Sequence, residues 1–78
     1  MSFLSANRYY YCERTTPLSN FTCYEYNSFM EADSHPKDGV QTTILYYPAF
    51  TPRLLDRFRL RYDLSRFCKV TIIKKNEN

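Results

Sequence analysis

Polar and apolar positions alternate with a period of two in several short stretches of this chain, and that period marks half-buried strands. Residues 7–15 (NRYYYCERT) are rich in aromatic, β-favouring side chains and predict a first strand. Thr16-Pro17-Leu18-Ser19 supplies a turn, and residues 21–29 then place Phe21, Cys23 and Glu25 on one face and Thr22, Tyr24 and Tyr26 on the other. Together they predict a hairpin. Residues 41–47 (QTTILYY) form a third strand, stopped by Pro48, which has no N–H to give to a ladder. Residues 68–74 (CKVTIIK) form the last, and 76–78 fray. Between the second and third strands, residues 30–40 (MEADSHPKDGV) hold the only glycine and an Asp38-Gly39 turn signal, which predicts a mobile loop.

One segment has the longer helical period. Thr51 is a capping residue and Pro52 suits a first helical position, so the helix starts there and runs to about Arg66. At 100° per residue, Leu54, Leu55, Phe58 and Tyr62 share one face, while Leu60, Leu64 and Phe67 gather almost opposite. The first stripe is expected to pack on the sheet, leaving the second as an outer apolar patch beside the row Arg53, Arg57 and Arg61. The expected fold is α+β: a small, mostly antiparallel sheet of about four strands in the order β-β-β-α-β, with one helix on one face. A meander of the first three strands makes the last strand parallel to the first and third, and leaves the other sheet face open.

Composition adds a margin and an asymmetry. Seventy-eight residues suit one domain over 1–78, and a chain this short hides only about 60–65% of its unfolded surface. Eight Tyr and six Phe can supply much of the core, and Tyr also serves at interfaces. Up to residue 52 three basic residues face five acidic ones; from 53 to 75 eight basic residues face only Asp56 and Asp63. Arg57, Arg59, Arg61, Arg66, Lys69, Lys74 and Lys75 can therefore track phosphates, with exposed Tyr stacking on bases, and this nucleic-acid reading is the alternative to a protein partner. Asp56 and Asp63 blunt that field, and no nucleic-acid recognition motif occurs. No apolar run is long enough to span a bilayer, the N-terminus lacks a secretory pattern, and three widely spaced cysteines make a poor disulfide framework. Three reduced, buried thiols and a cytoplasmic setting are expected.

Candidate chemistry is thin. Cys12, Cys23, His35 and Cys68 are the ligand types of a zinc site, but no pair has the spacing of one. The lone His35 lies in the expected loop, a poor place for a preorganised base, and one glycine excludes a phosphate-cradling loop. No enzyme activity, metal or cofactor is expected. The reading that remains is a small protein-binding module, a regulator or inhibitor of a larger partner, as many free-standing domains of this size are, viral and phage ones included. Its contact residues are expected to be Arg53, Arg57, Leu60, Arg61, Leu64 and Phe67, since Arg and apolar anchors dominate interface energetics. A homodimer closing the open sheet face is a second expected contact; nucleic acid is reached directly or through the partner.

Overall fold

The computed structural model describes residues 6–64 and the backbone course of 70–75. Its elements are β1 (Arg8–Arg14), β2 (Phe21–Tyr26), a short helix α1 (Phe29–Asp33), β3 (Gln41–Tyr47), a 3-10 turn (Arg53–Leu55), α2 (Asp56–Asp63) and β4 (Val70–Lys75). The class is α+β, with β1, β2 and β3 forming an antiparallel sheet. The strands do not form a meander. β1 is central and pairs with both β2 and β3, and β4 runs parallel to β2 on its far edge. The return of β3 to β1 rather than β2 follows from the 28–40 segment, which crosses a sheet face instead of turning back at its edge.

Strand alternation sorts the side chains as the pattern predicts. One face carries Arg8, Tyr10, Cys12, Phe21, Cys23, Glu25, Leu45 and Tyr47; the other carries Tyr9, Tyr11, Tyr24, Tyr26, Ile44 and Tyr46. Among the described residues both faces carry packed side chains, the second only in part, since Tyr46 stays 49% exposed; this corrects the expectation of one helix and one open face. On the first, Leu60 and Leu64 of α2 join Tyr10, Cys12, Phe21, Cys23 and Tyr47 in the main core. On the second, Ala32 of α1 packs with Tyr11 and Tyr26, flanked by Tyr9, Tyr24 and Ile44.

The segment expected to be a loop instead contains the short helix α1, and three local contacts cap it and tie it to the sheet. Ser28 caps α1, its Oγ accepting from the Glu31 N–H at 3.2 Å. His35 lies against two neighbouring tyrosine rings, 4.3 Å from Tyr11 and 4.4 Å from Tyr24, and its Nδ1 shares a 2.6 Å hydrogen bond with the Tyr26 hydroxyl. Gly39 then passes β1 so closely that a Cβ there would sit 2.9 Å from the Arg14 carbonyl oxygen. The glycine is required by close approach rather than by its dihedral angles.

Cys12 and Cys23 face each other across β1 and β2 and are joined as a disulfide. This corrects the expectation of three free thiols. An odd count says nothing about two cysteines that the hairpin brings into register, Cα to Cα 4.0 Å. Both are fully buried beneath α2. Cys68 lies outside the described residues. Closing a loop of sequence separation 11 is worth about 3 kcal/mol in chain entropy. Reduction, or the pair Cys12→Ala with Cys23→Ala, is therefore expected to lower the urea midpoint and take roughly 10–20 °C off the melting temperature. Identical melts with and without reductant would show that this bond does not support the fold.

Candidate functional site

The helix segment begins differently from the pattern of its sequence. Pro52 is extended, with φ −64° and ψ 127°, and Thr51 does not cap the helix. Thr51 Oγ1 instead donates to the Pro48 carbonyl at 2.7 Å and accepts from Arg8 at 3.1 Å. The chain then makes one 3-10 turn and enters α2 at Asp56, whose carboxylate favours the positive end of the helix.

Asp56 is the hub of a buried polar cluster. It lies 2% exposed, and Arg8 holds it with two bonds, Nε to Oδ2 at 2.8 Å and an Nη to Oδ1 at 2.6 Å. The Tyr10 hydroxyl donates to Oδ2 at 2.7 Å. The remaining guanidinium hydrogens go to the carbonyls of Ala6 and Pro48 and to Thr51, and no buried side-chain polar atom among the described residues lacks a partner. The hydrogen bond to Asp56 raises the Arg8 pKa against the opposing effect of burial. A second pair of reversed polarity lies alongside: Arg53 donates at 2.6 Å to the buried Glu25 of β2. Strand cation to helix anion, and strand anion to turn cation, fix the helix against the sheet.

Asp56, Leu60 and Leu64 are four residues apart and so share one side of α2. The ion pair turns that side inward. Leu60 is fully buried and Leu64 is 2% exposed, so the outer patch expected from these residues lies in the core instead. Leu54 (79% exposed), Phe58 (67%) and Tyr62 (80%), expected to face the sheet, face outward with the half-exposed Leu55. The two sets lie two residues apart, about 200° of rotation, and hydrophobicity alone does not say which is inside.

The outer side of α2 is therefore an apolar ridge with cations around it. Beside the ridge runs an open groove of about 390 Å³ lined by Leu55, Phe58, Arg59, Tyr62 and Asp63. Asp63 accepts from the buried Tyr47 hydroxyl at 2.7 Å, and the Arg59 guanidinium lies over the Tyr47 ring at 5.0 Å. Arg57 and Arg61 are exposed and form no ion pair among the described residues. Of the expected contact residues, Arg57 and Arg61 thus flank the ridge, Arg53 is engaged with Glu25, Leu60 and Leu64 are core, and Phe67 lies outside the described residues, as do Arg66 and Lys69. Lys74 and Lys75 fall in β4, paired in register with Tyr24 and Glu25 of β2.

Of the zinc ligand types, the three within the described residues are not brought together. Cys12 and Cys23 are bonded to each other on the α2 face, and His35 lies on the opposite face among tyrosines. No group of three metal-ligating side chains occurs among the described residues, and no helix there is long and apolar enough to cross a membrane. No protein-family model, curated protein or solved structure matches the chain.

Proposed function

We propose that the protein is a small non-enzymatic binding module that regulates or inhibits a larger protein through the outer side of α2. The observation that carries this reading is the exposed row Leu54, Phe58 and Tyr62 beside Arg57 and Arg61. Burying a ring such as Phe58 is worth about 1.5–3 kcal/mol, and the fold does not use it. An apolar row at helical spacing suits insertion into an apolar cleft, and the flanking cations suit an acidic rim. The groove between Phe58 and Asp63 can take one side chain in return. The partner is accordingly a protein whose cleft is lined with aliphatic or aromatic groups and edged by Asp or Glu. The buried disulfide fits an oxidising setting better than the cytoplasm, where such bonds are kept reduced.

A peptide-display selection against the immobilised, oxidised protein tests the reading. Enriched peptides are expected to combine Asp or Glu with aliphatic and aromatic residues. Phe58→Asp should weaken the best of them about 30-fold, as loss of an interface hot spot does, without altering the melt. The nucleic-acid alternative uses the same Arg57 and Arg61 with stacking on exposed rings. It predicts that a labelled single-stranded oligonucleotide binds and that affinity falls steeply with salt. Oligonucleotide binding together with a selection that returns no acidic–apolar consensus would replace the protein-partner reading.

A further inference from the structure

Of the two edges of the sheet, that of β3 is the second surface left unexplained. β3 pairs with β1 on one side only, and among the described residues no strand lies along its other side. Which backbone groups face that edge follows from the disulfide. A Cα separation of 4.0 Å marks Cys12 and Cys23 as a non-hydrogen-bonded pair. The N–H and C=O of Cys12 therefore point away from β2, towards β3. Alternation extends this to Arg8, Tyr10 and Arg14, and the Arg14 carbonyl does accept from the Val40 N–H at 2.9 Å. These residues face Tyr47, Leu45, Thr43 and Gln41. By the same alternation the groups of Thr42, Ile44 and Tyr46 are left on the outer edge, and no turn, loop or cap bond among the described residues reaches them.

Natural sheets usually blunt such an edge with a lysine, an inward charge or a proline. Gln41 to Tyr47 contains none of these; Pro48 comes only where the strand ends. Tyr46 leaves the edge clear, because its ring lies 4.9 Å from that of Tyr9 and its hydroxyl reaches back to Asn7. From these features we infer that the β3 edge binds the β3 edge of a second copy of this chain, antiparallel, about a twofold axis at Ile44.

The strand is complementary to itself in that register. Ile44 faces Ile44 of the second copy, and Thr42 faces Tyr46 in both directions, so three pairs each exchange two backbone hydrogen bonds. Thr43 and Leu45 face each other between them. With no charged residue in β3, no like charges are opposed, and β-branched and aromatic residues meet across the joint. The axis of such a pair is perpendicular to the sheet. The two sheets become one, and both α2 helices lie on the same side of it, with their Phe58 rows facing outward. This contact is separate from the α2 surface, and one can fail without the other.

Sedimentation equilibrium of the oxidised protein over micromolar to millimolar concentration is expected to show monomer and dimer in exchange. Amide hydrogen exchange read by NMR over the same range should slow with concentration at Thr42, Ile44 and Tyr46. Thr43 and Leu45, bonded to β1, should be protected throughout. Thr42→Pro removes an outward N–H and no bond to β1, so it should weaken dimerisation at least tenfold and leave circular dichroism unchanged. A protein monomeric at every concentration overturns the inference, as does exchange at the three outward amides that ignores concentration. A dimer weakened by Phe58→Asp but not by Thr42→Pro overturns it too, placing the contact on α2. Where Thr42→Pro does not fold, the exchange pattern of the unaltered protein decides.

Discussion

Replacing Asp56 with alanine is expected to cost about 3–5 kcal/mol, the usual penalty for stripping one partner from a buried ion pair. The reason is what stays behind. Arg8 is 1% exposed and cannot reach water without moving β1, so its charge remains in the core with only Thr51 and two carbonyls as acceptors. Tyr10 loses its acceptor as well. A chain of 78 residues has a total margin of about 4–12 kcal/mol at 0.05–0.15 kcal/mol per residue. Asp56→Ala should therefore lose from about a quarter to all of that margin, with its urea midpoint shifted far below that of the unaltered chain. Removing both charges separates charge from shape. Arg8→Met combined with Asp56→Leu should recover most of the loss, since apolar replacements of buried pairs are often neutral or stabilising. A cost under about 1 kcal/mol for Asp56→Ala, the range of an exposed pair, would mean that Arg8 is solvated after all.

The same cluster divides what is legible in the sequence from what is not. Strand positions were legible because they are local: alternation in 21–26 and the break at Pro48 need no knowledge of the rest of the chain. The S-x-x-E pattern at Ser28 and Glu31 is equally local, and it marks the helix that the lone glycine and Pro36 obscured. The inward side of α2 is not a local property. Two apolar rows compete for the sheet, and the one that wins shares its side with Asp56, whose partner Arg8 lies 48 residues away in β1. The arginine among tyrosines in β1 and the aspartate among arginines in α2 are the trace of that pairing in sequence, each looking like an ordinary surface charge. Buried pairs of this kind contribute little net stability against apolar replacements, but they penalise the alternative packing. Rolling α2 by half a turn would expose Leu60 and Leu64, bury Phe58 and leave Arg8 and Tyr10 without Asp56. The disulfide was hidden in the same way, since residue count does not show register, and pairing across the hairpin does.

Raising the pH is expected to unfold the protein cooperatively between about pH 11 and pH 12, because buried tyrosines cannot ionise in place. Burial, and then the carboxylate each hydroxyl donates to, push Tyr10 (Asp56) and Tyr47 (Asp63) well above the ordinary value of 10; Tyr11 and Tyr26 are raised mainly by burial. The sign follows directly. A group held protonated in the native state stabilises it fully below the unfolded pKa, near 10. That contribution is lost as pH climbs from there towards the raised native value, since the unfolded chain releases protons the folded one retains. Each such tyrosine removes about 1.4 kcal/mol per pH unit above pH 10. Tyr10 and Tyr47 together remove about 3 kcal/mol per unit, and Tyr11 and Tyr26 steepen the fall. Arg8, raised further by Asp56, stays charged in this window and does not oppose it. Urea melts at stepped pH measure the slope, and tyrosinate absorbance should rise together with loss of circular dichroism. Tyr47→Phe should make the alkaline slope shallower by about 1.4 kcal/mol per unit, because its ring stays in the core while its proton leaves the balance. An alkaline slope unchanged in that variant would show that Tyr47 ionises within the folded protein, with Asp63 free to move away from it.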